Sequence, residues 1–484
     1  MRGRISRRFV LGGLLAGGAT SALATEPVAA LRPKSRPAVT RAGVETLIEG
    51  AGLGGRLSFA VADAVTGEII ETRAPLLKLP PASVMKVVTA LYGLEALGPV
   101  HRFSTRLLAR GRVSGGLLEG DLILVGTGDP TLDTDALAEM AETLVASGIR
   151  EVTGEFLVDA SALPAIRAID DRQPEHLAYN PAVGGLNLNY NRVRFQWQTT
   201  SEGTALRMEA HTRNFSPPVS VAQIRAANRG QPVFSYNGGN GTDNWTVAAG
   251  ALEGEGSRWL PVRRPAAYAG DVLRTLAASQ GVRLPQPKQV WGQAEGTELA
   301  RRDSPPLHEI LRAMLRWSNN LTAEVVGLTG TLKRGVAARN LGMSAREMSD
   351  WLADRMDTRK PVFKDHSGLH DGSRVAPTDL VRLLTRPGAQ VALRPILKRM
   401  EFKTANETVL EVQAKTGTLH FVNALAGYME GQNGRPLAFA IMAADTTRRS
   451  RLSRVELERP EGARAWTLRA RRLEGQLIER WATF

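Results

Sequence analysis

The chain has no cysteine among its 484 residues. That absence excludes disulfides, thiol catalysis and a lipidated N-terminal cysteine, and it leaves the compartment open. Lysine is scarce too, at ten positions against 52 arginines, so a lysine that falls in a motif carries weight. Beyond the N-terminus no segment approaches the roughly 20 apolar residues of a membrane-spanning helix, and there are no internal repeats. Acid is outnumbered: 48 Asp and Glu against 62 Lys and Arg give a formal net charge of +14. The positive charge does not gather into a nucleic-acid motif, so no nucleic-acid partner is expected. A basic surface suits an anionic polymer or peripheral association with a membrane surface. With 43% hydrophobic residues and a mean hydropathy of -0.17, the composition is that of a soluble globular protein with real cores. The length suggests about three domains.

Residues 1–24 carry Arg2, Arg4, Arg7 and Arg8 and no acid. Ser6-Arg7-Arg8-Phe9-Val10-Leu11 is a twin-arginine pattern, an apolar, glycine-rich run follows to Ala19, and Ala22-Leu23-Ala24 is a small-residue cleavage site. A buried N-terminal helix explains this less well, because Gly12, Gly13, Gly17 and Gly18 would weaken it. The pattern predicts a bacterial export signal of the twin-arginine type, with the plain secretory type as the alternative.

Ser83-Val84-Met85-Lys86 follows Pro80 and Pro81, which suit a helix entrance. Ser83 and Lys86, three apart, share a helix face. A serine hydroxyl becomes a nucleophile when a base takes its proton, and a neutral lysine amine can do so. The positive end of the helix dipole disfavours the ammonium and favours a developing anion. Alone, a Ser-x-x-Lys pattern is more often an incidental pair on an amphipathic helix. The rest of the chain must supply its partners.

Leu57–Asp63 and Glu68–Arg73 read as a hairpin before the Ser83 helix. From Phe103 short strands dominate: Ser104–Leu108, Asp121–Val125, Glu155–Val158, Val193–Gln198 and Leu206–Ala210, with one helical interlude at Asp135–Ser147. Helical patterning returns at Ala267–Gln280. A helix from Ser304 ends at Trp317-Ser318-Asn319-Asn320, and another starts near Leu321. Strands Val412–Leu419, Phe421–Tyr428 and Leu437–Ala444 precede a last helix, after Pro460, whose Trp466, Leu468, Leu473, Leu477 and Trp481 are read as core.

Two short motifs fall where a serine–lysine enzyme wants them. Ser318-Asn319-Asn320 lies between helices, where Ser318 could relay a proton and Asn320 could hold an amide. Lys415-Thr416-Gly417-Thr418 lies on a strand, where Gly417 would leave room for substrate against the backbone. Singly these are an interhelical loop and an edge strand; in order, with so few lysines, they form a specific trio.

On this trio, and on Gly120–Leu132, Asp365-His366-Ser367-Gly368-Leu369 and Arg374-Val375-Ala376-Pro377, the chain resembles the class C low-molecular-mass penicillin-binding proteins, serine D-Ala-D-Ala carboxypeptidase/endopeptidases of bacterial cell walls. Ser83 and Ser318 are 235 positions apart; in that family the gap holds inserted domains, whereas β-lactamases have a much shorter one. The resemblance implies that Ser83 is acylated, that Lys86 is its base, and that Ser318 passes the proton to the leaving D-alanine. It implies that Asn320 binds the substrate amide, and that Lys415 and Thr418, with Thr416, hold the terminal carboxylate. The N–H groups of Ser83 and Thr418 would form the oxyanion hole, and Lys415 would depress the pKa of Lys86 by like-charge repulsion.

Some positions depart from the family pattern. His366 replaces a glycine, His370-Asp371 replaces a Ser-Arg pair, and Phe421 stands where a small residue usually follows the third motif. The segment Leu393–Val412 is also shorter and lacks a glycine-rich turn. These changes bear on substrate preference more than on the chemistry. Asp365, His366, His370 and Asp371 would suit a metal only on a helix, and Ser367-Gly368 argues for a loop, so no metal or organic cofactor is expected.

The expectation is an α/β, serine-β-lactamase/D,D-peptidase-like three-layer transpeptidase-type domain with inserted β-rich accessory domains. Its parts are an export signal at 1–24, a peptidase domain built from 25–105 and 285–484, and accessory domains at 106–284. The expected function is a periplasmic serine D,D-peptidase acting on peptidoglycan stem peptides ending in D-Ala-D-Ala, inhibited by β-lactams. The rivals are a β-lactamase, for which no dedicated deacylating glutamate stands out; an esterase or amidase on the same fold; and a non-catalytic wall-binding scaffold. Oligomeric state is left open.

Overall fold

The structure, a computed structural model, describes residues 43–484 except 293, 357–359 and 405. The chain divides into two units, Met1–Ala42 and Gly43–Phe484; the expected export signal lies outside the described residues.

Both chain ends build one antiparallel six-stranded sheet. Its order is Lys398–Lys403, Val409–Leu419, Val422–Glu430, Pro436–Ala444, Arg56–Asp63 and Ile69–Arg73. Arg56 pairs with Ala444 and Lys415 with Ala426. Alternation assigns the two faces. Phe59, Val61, Leu437, Phe439 and Ile441 pack with Leu473, Leu477 and Trp481 of the C-terminal helix Ala463–Trp481. Ala60, Ala62, Ala438 and Ala440 face the other way, toward Val84, Met85 and Tyr92. These small side chains let the Ser83 segment lie close to the sheet.

The C-terminal helix buries Trp466, Leu473, Leu477 and Trp481, but Leu468 is 56% exposed. The reading of Leu468 as core is therefore corrected: two residues on from Trp466 it turns to the far side of the buried stripe.

On the other face lie the helices Met85–Leu97, Leu307–Trp317, Asn320–Lys333, Leu341–Met356 and Pro377–Thr385. Gly93 sits in the first of them. A Cβ there would come within 2.4 Å of Val326 Cγ1, so the glycine sets how closely the Met85–Leu97 and Asn320–Lys333 helices approach.

Between these two parts a second six-stranded sheet contains Ser104–Ser114, Leu117–Gly126, Phe156–Asp159, Pro287–Val290 and Thr297–Asp303, with Glu151–Val152 beside Leu117–Gly126. Two three-stranded sheets join it, one holding Arg192–Thr200, Gly203–Glu209 and Glu255–Pro261, the other Ala222–Ala227, Phe234–Asn237 and Asp243–Ala248. The helices Thr134–Ala146 and Pro265–Ser279 share one apolar core with them. Thr297–Asp303, polar and unread in the sequence, pairs antiparallel with Ser104–Ser114 as an edge strand.

Candidate active site

Ser83 sits in a 3-10 turn, Ala82–Val84, that runs directly into the helix Met85–Leu97. Ala82 has φ 45, a left-handed conformation that a non-glycine residue keeps only under tertiary constraint. The constraint is visible: a Cβ on Gly368 would lie 1.8 Å from Ala82 O, so the Asp365–Leu369 loop is pressed against the turn.

Lys86, three residues on, is fully buried. Its Nζ lies 3.0 Å from Ser83 Oγ and donates to Asn320 Oδ1 and to Ser367 O, both at 2.7 Å. Burial first, and then the charge of Lys415, pull its pKa down to about 7, against the opposing pull of Asp365 and Glu324. The amine is thus in contact with the hydroxyl and divided between charged and neutral forms near neutral pH. The like-charge effect anticipated from Lys415 is present but second to burial.

Ser318 caps the helix Leu307–Trp317 in a left-handed conformation, φ 57 and ψ 39. Asn319 caps the next helix by accepting from Thr322 N at 2.9 Å. Asn320 opens that helix with its amide held at both ends: Oδ1 accepts from Lys86, and Nδ2 donates to Tyr179 O at 2.9 Å. Ser318 lines the same cleft as Ser83, and its hydroxyl makes no direct hydrogen bond to Ser83 or Lys86 among the described residues.

Lys415 is buried on the strand Val409–Leu419, and its Nζ donates to Thr416 O at 2.7 Å. Burial, followed by the charge of Lys398, lowers its pKa to about 8. Gly417 does not open space for substrate, as its position had suggested. A Cβ there would lie 2.6 Å from Pro81 O and 3.0 Å from both Ser83 N and Val84 N; the glycine lets the strand touch the Ser83 turn. Thr416 and Thr418 are exposed. Thr418 lines the cleft, with its Oγ1 3.4 Å from Asn423 Oδ1. Asn423 Nδ2 in turn donates to buried Glu474 at 2.6 Å, whose carboxyl burial pushes up to about 7.

The cleft, of ≈ 900 Å³, thus gathers Ser83, Ser318, Asn320 and Thr418 on its walls, with Lys86 and Lys415 buried. Sequence reasoning missed three supports. The Tyr179 carbonyl comes from the inserted region. Asp365, raised to about 7 by burial, accepts from Gly368 N and His370 N at 3.0 and 2.8 Å. Glu324 accepts from His366 N and Ser367 N at 2.9 and 2.8 Å. The only signal for Glu324 was an acid on an otherwise apolar helix face.

The unusual residues find places away from the cleft. His366 is buried behind Lys86, its Nδ1 3.0 Å from Glu324 Oε2 and its Nε2 3.0 Å from Ser344 Oγ; Gly327 leaves the space for its ring. His370 Nδ1 accepts from Gly372 N at 3.0 Å and lies 3.1 Å from an Arg172 nitrogen. Asp371 pairs with Arg172 and Arg449 at 2.7 and 2.6 Å. Phe421, with φ 59, is buried against Trp466 and under the Arg448 guanidinium, so it does not narrow the cleft.

The model of the D-Ala-D-Ala carboxypeptidase 3 (S13) family matches residues 41–458, nearly the whole span that holds this site. The chain belongs to this family. As a family member it is a serine-type D-Ala-D-Ala carboxypeptidase, a penicillin-binding protein of class C. It is 31% identical over 468 aligned residues to a D-alanyl-D-alanine carboxypeptidase of Actinomadura sp. (strain R39), covering 87% of this chain and 84% of that one. It is 24% identical to the D-alanyl-D-alanine carboxypeptidase DacB of Haemophilus influenzae, over 74% of this chain and 79% of the relative. The crystal structure of penicillin-binding protein 4 from H. influenzae superposes with a TM-score of 0.72 at 21% identity, covering 92% of this chain and 100% of that one. The same protein has also been solved with a β-lactam bound, with a TM-score of 0.71. The carboxypeptidase fold expected from the sequence, a transpeptidase-type sheet with additional β sheets, is therefore established.

Proposed function

We propose that this carboxypeptidase works through an acyl-enzyme on Ser83, with Lys86 as the general base. The observation that carries the reading is the buried Lys86 amine, 3.0 Å from Ser83 Oγ and fixed by Asn320 and Ser367. Ser83 Oγ attacks the carbonyl carbon of the penultimate D-alanine as its proton passes to neutral Lys86. The Ser83 turn and Thr418 offer backbone N–H groups to the oxyanion, at the positive end of the helix. The C–N bond then breaks as Lys86 passes that proton by way of Ser318 to the departing amine, and D-alanine leaves with Lys86 neutral again. Water attacks the ester, its proton passing to neutral Lys86, which hands it to Ser83 Oγ as the acyl C–O bond breaks. Lys415 sets the positive potential that holds the substrate carboxylate, together with Thr418, while Asn320 holds the peptide amide.

A β-lactam would enter the same path through its strained amide, whose leaving group stays tethered and blocks water. The same bond, in a D-Ala-linked cross-link, makes the chain a candidate endopeptidase. Export by the twin-arginine pattern at Ser6–Leu11 to the periplasm fits a wall substrate, and the basic surface would suit peripheral association with the membrane. The test is fluorescent-penicillin labelling of the mature protein beside release of D-alanine from a D-Ala-D-Ala-ended peptide. Stable labelling and release, both lost in Ser83→Ala, support the reading. Correctly folded protein that neither labels nor releases D-alanine contradicts it.

A further inference from the structure

Between the short helix Thr446–Ser450 and the C-terminal helix Ala463–Trp481 the chain runs from one wall of the cleft to the other. Its start is fixed on the side of the Lys415 strand. Arg449 Nη1 donates to His420 O at 2.9 Å, and Arg449 Nε pairs with Asp371 at 2.6 Å. Its middle is fixed to the inserted region. Arg454 Nε donates to Gln173 O at 3.0 Å, and Arg454 Nη2 pairs with Glu175 Oε1 at 2.9 Å. Glu458 Oε1 lies 3.2 Å from His176 Nε2 and 4.0 Å from Arg258 Nη2. Glu458, Arg459 and Pro460 then line the cleft that holds Ser83, beside Gln173 and Tyr179.

We propose that residues 453–460 form a strap, latched by Arg454 and Glu458, that selects linear peptide termini over cross-linked ones. A linear peptide ending in D-Ala-D-Ala has only one small residue beyond the scissile bond, whereas a cross-linked peptide continues on both sides of it. The second needs a cleft open at both ends, and the strap ties the two walls together. The latch is built to open: the Arg454 and Glu458 side chains are 48% and 35% exposed, and ion pairs so exposed are weak and screened by salt. Glu175 anchors it firmly on the far side, being also paired with Arg167 and Arg263 at 2.9 and 3.2 Å. The assignment rests on the D,D-peptidase reading of the site.

The test compares a linear D-Ala-D-Ala-ended peptide with its D,D-cross-linked dimer, using the full mature protein, Arg454→Gln and Arg454→Lys. Arg454→Gln is expected to raise kcat/KM on the dimer by about fivefold, the upper range for losing one half-exposed ion pair. The linear rate should change less than about twofold, and Arg454→Lys, which keeps the charge, should stay near wild type. As a check free of substitution, about 0.5 M salt should raise the wild-type dimer rate and raise that of Arg454→Gln less, because only the Glu458 pairs remain there to be screened. Equal gains on both substrates, or no gain on the dimer, would overturn the strap while leaving the peptidase intact. Wild type that hydrolyses neither substrate overturns the peptidase reading, and the strap with it.

Discussion

Gly417 backs directly onto Ser83: a Cβ at 417 would stand 3.0 Å from Ser83 N and 2.6 Å from Pro81 O. The strand and the Ser83 turn are therefore in backbone contact one residue before Thr418. Gly417→Ala must push the two apart. Acylation by penicillin should fall by at least about tenfold, since losing part of an oxyanion contact costs a few kcal/mol. Stopped-flow or gel-based labelling rates check this.

Asn320 joins Lys86 to the inserted region, accepting from the amine on one side and donating to the Tyr179 carbonyl on the other. Asn320→Ala leaves a buried amine short of an acceptor, and hydrogen bonds to charged groups are worth about 1.5–3 kcal/mol. The acylation rate should drop by roughly 10- to 100-fold. Asn320→Asp, by setting a carboxylate against Lys86, should instead move the acid limb of the rate profile to higher pH.

That profile has a definite shape. Only neutral Lys86 can accept the Ser83 proton, and its pKa is lowered to about 7, so the acylation rate should climb as pH rises through that value. Lys415, lowered to about 8, loses its positive charge above that pH, and recognition of the substrate carboxylate should weaken. Activity is expected to peak between the two. In stability the sign is fixed as well: between about 7 and the ordinary lysine range, the unfolded chain binds the proton that folded Lys86 rejects. This group's contribution to stability therefore rises with pH across that window. Rate–pH profiles and melting curves measure the two separately.

The C-terminal helix offers a contrast between neighbours. Trp466 is 1% exposed and Leu468 56% exposed. Trp466→Ala should cost about 3–5 kcal/mol, while Leu468→Ala should stay within about 0.5 kcal/mol. Denaturant unfolding of both variants distinguishes the faces.

The trio was legible because each motif is local: a turn and helix at Ser83, an interhelical step at Ser318, and a strand at Lys415. The sheet strands were legible by alternation, though their bounds shifted, as where Leu437–Ala444 became Pro436–Ala444. What sequence could not show were contacts made by closure in space. The carbonyl oxygens of Tyr179 and Ser367 carry no side-chain signature, yet both hold the site. His366 looked like a change bearing on substrate preference and is a buried filler over Gly327, a pairing across 39 positions that no local pattern records. Gly417 was singled out for the right position and the wrong neighbour.

The central claim is that Ser83 carries the acyl group, and peptide mapping tests it most directly. Mature protein incubated with penicillin and digested should yield one peptide heavier by the mass of the drug, with the addition on Ser83, and none from Ser83→Ala. An adduct on another residue, or one that persists in Ser83→Ala, would contradict the account.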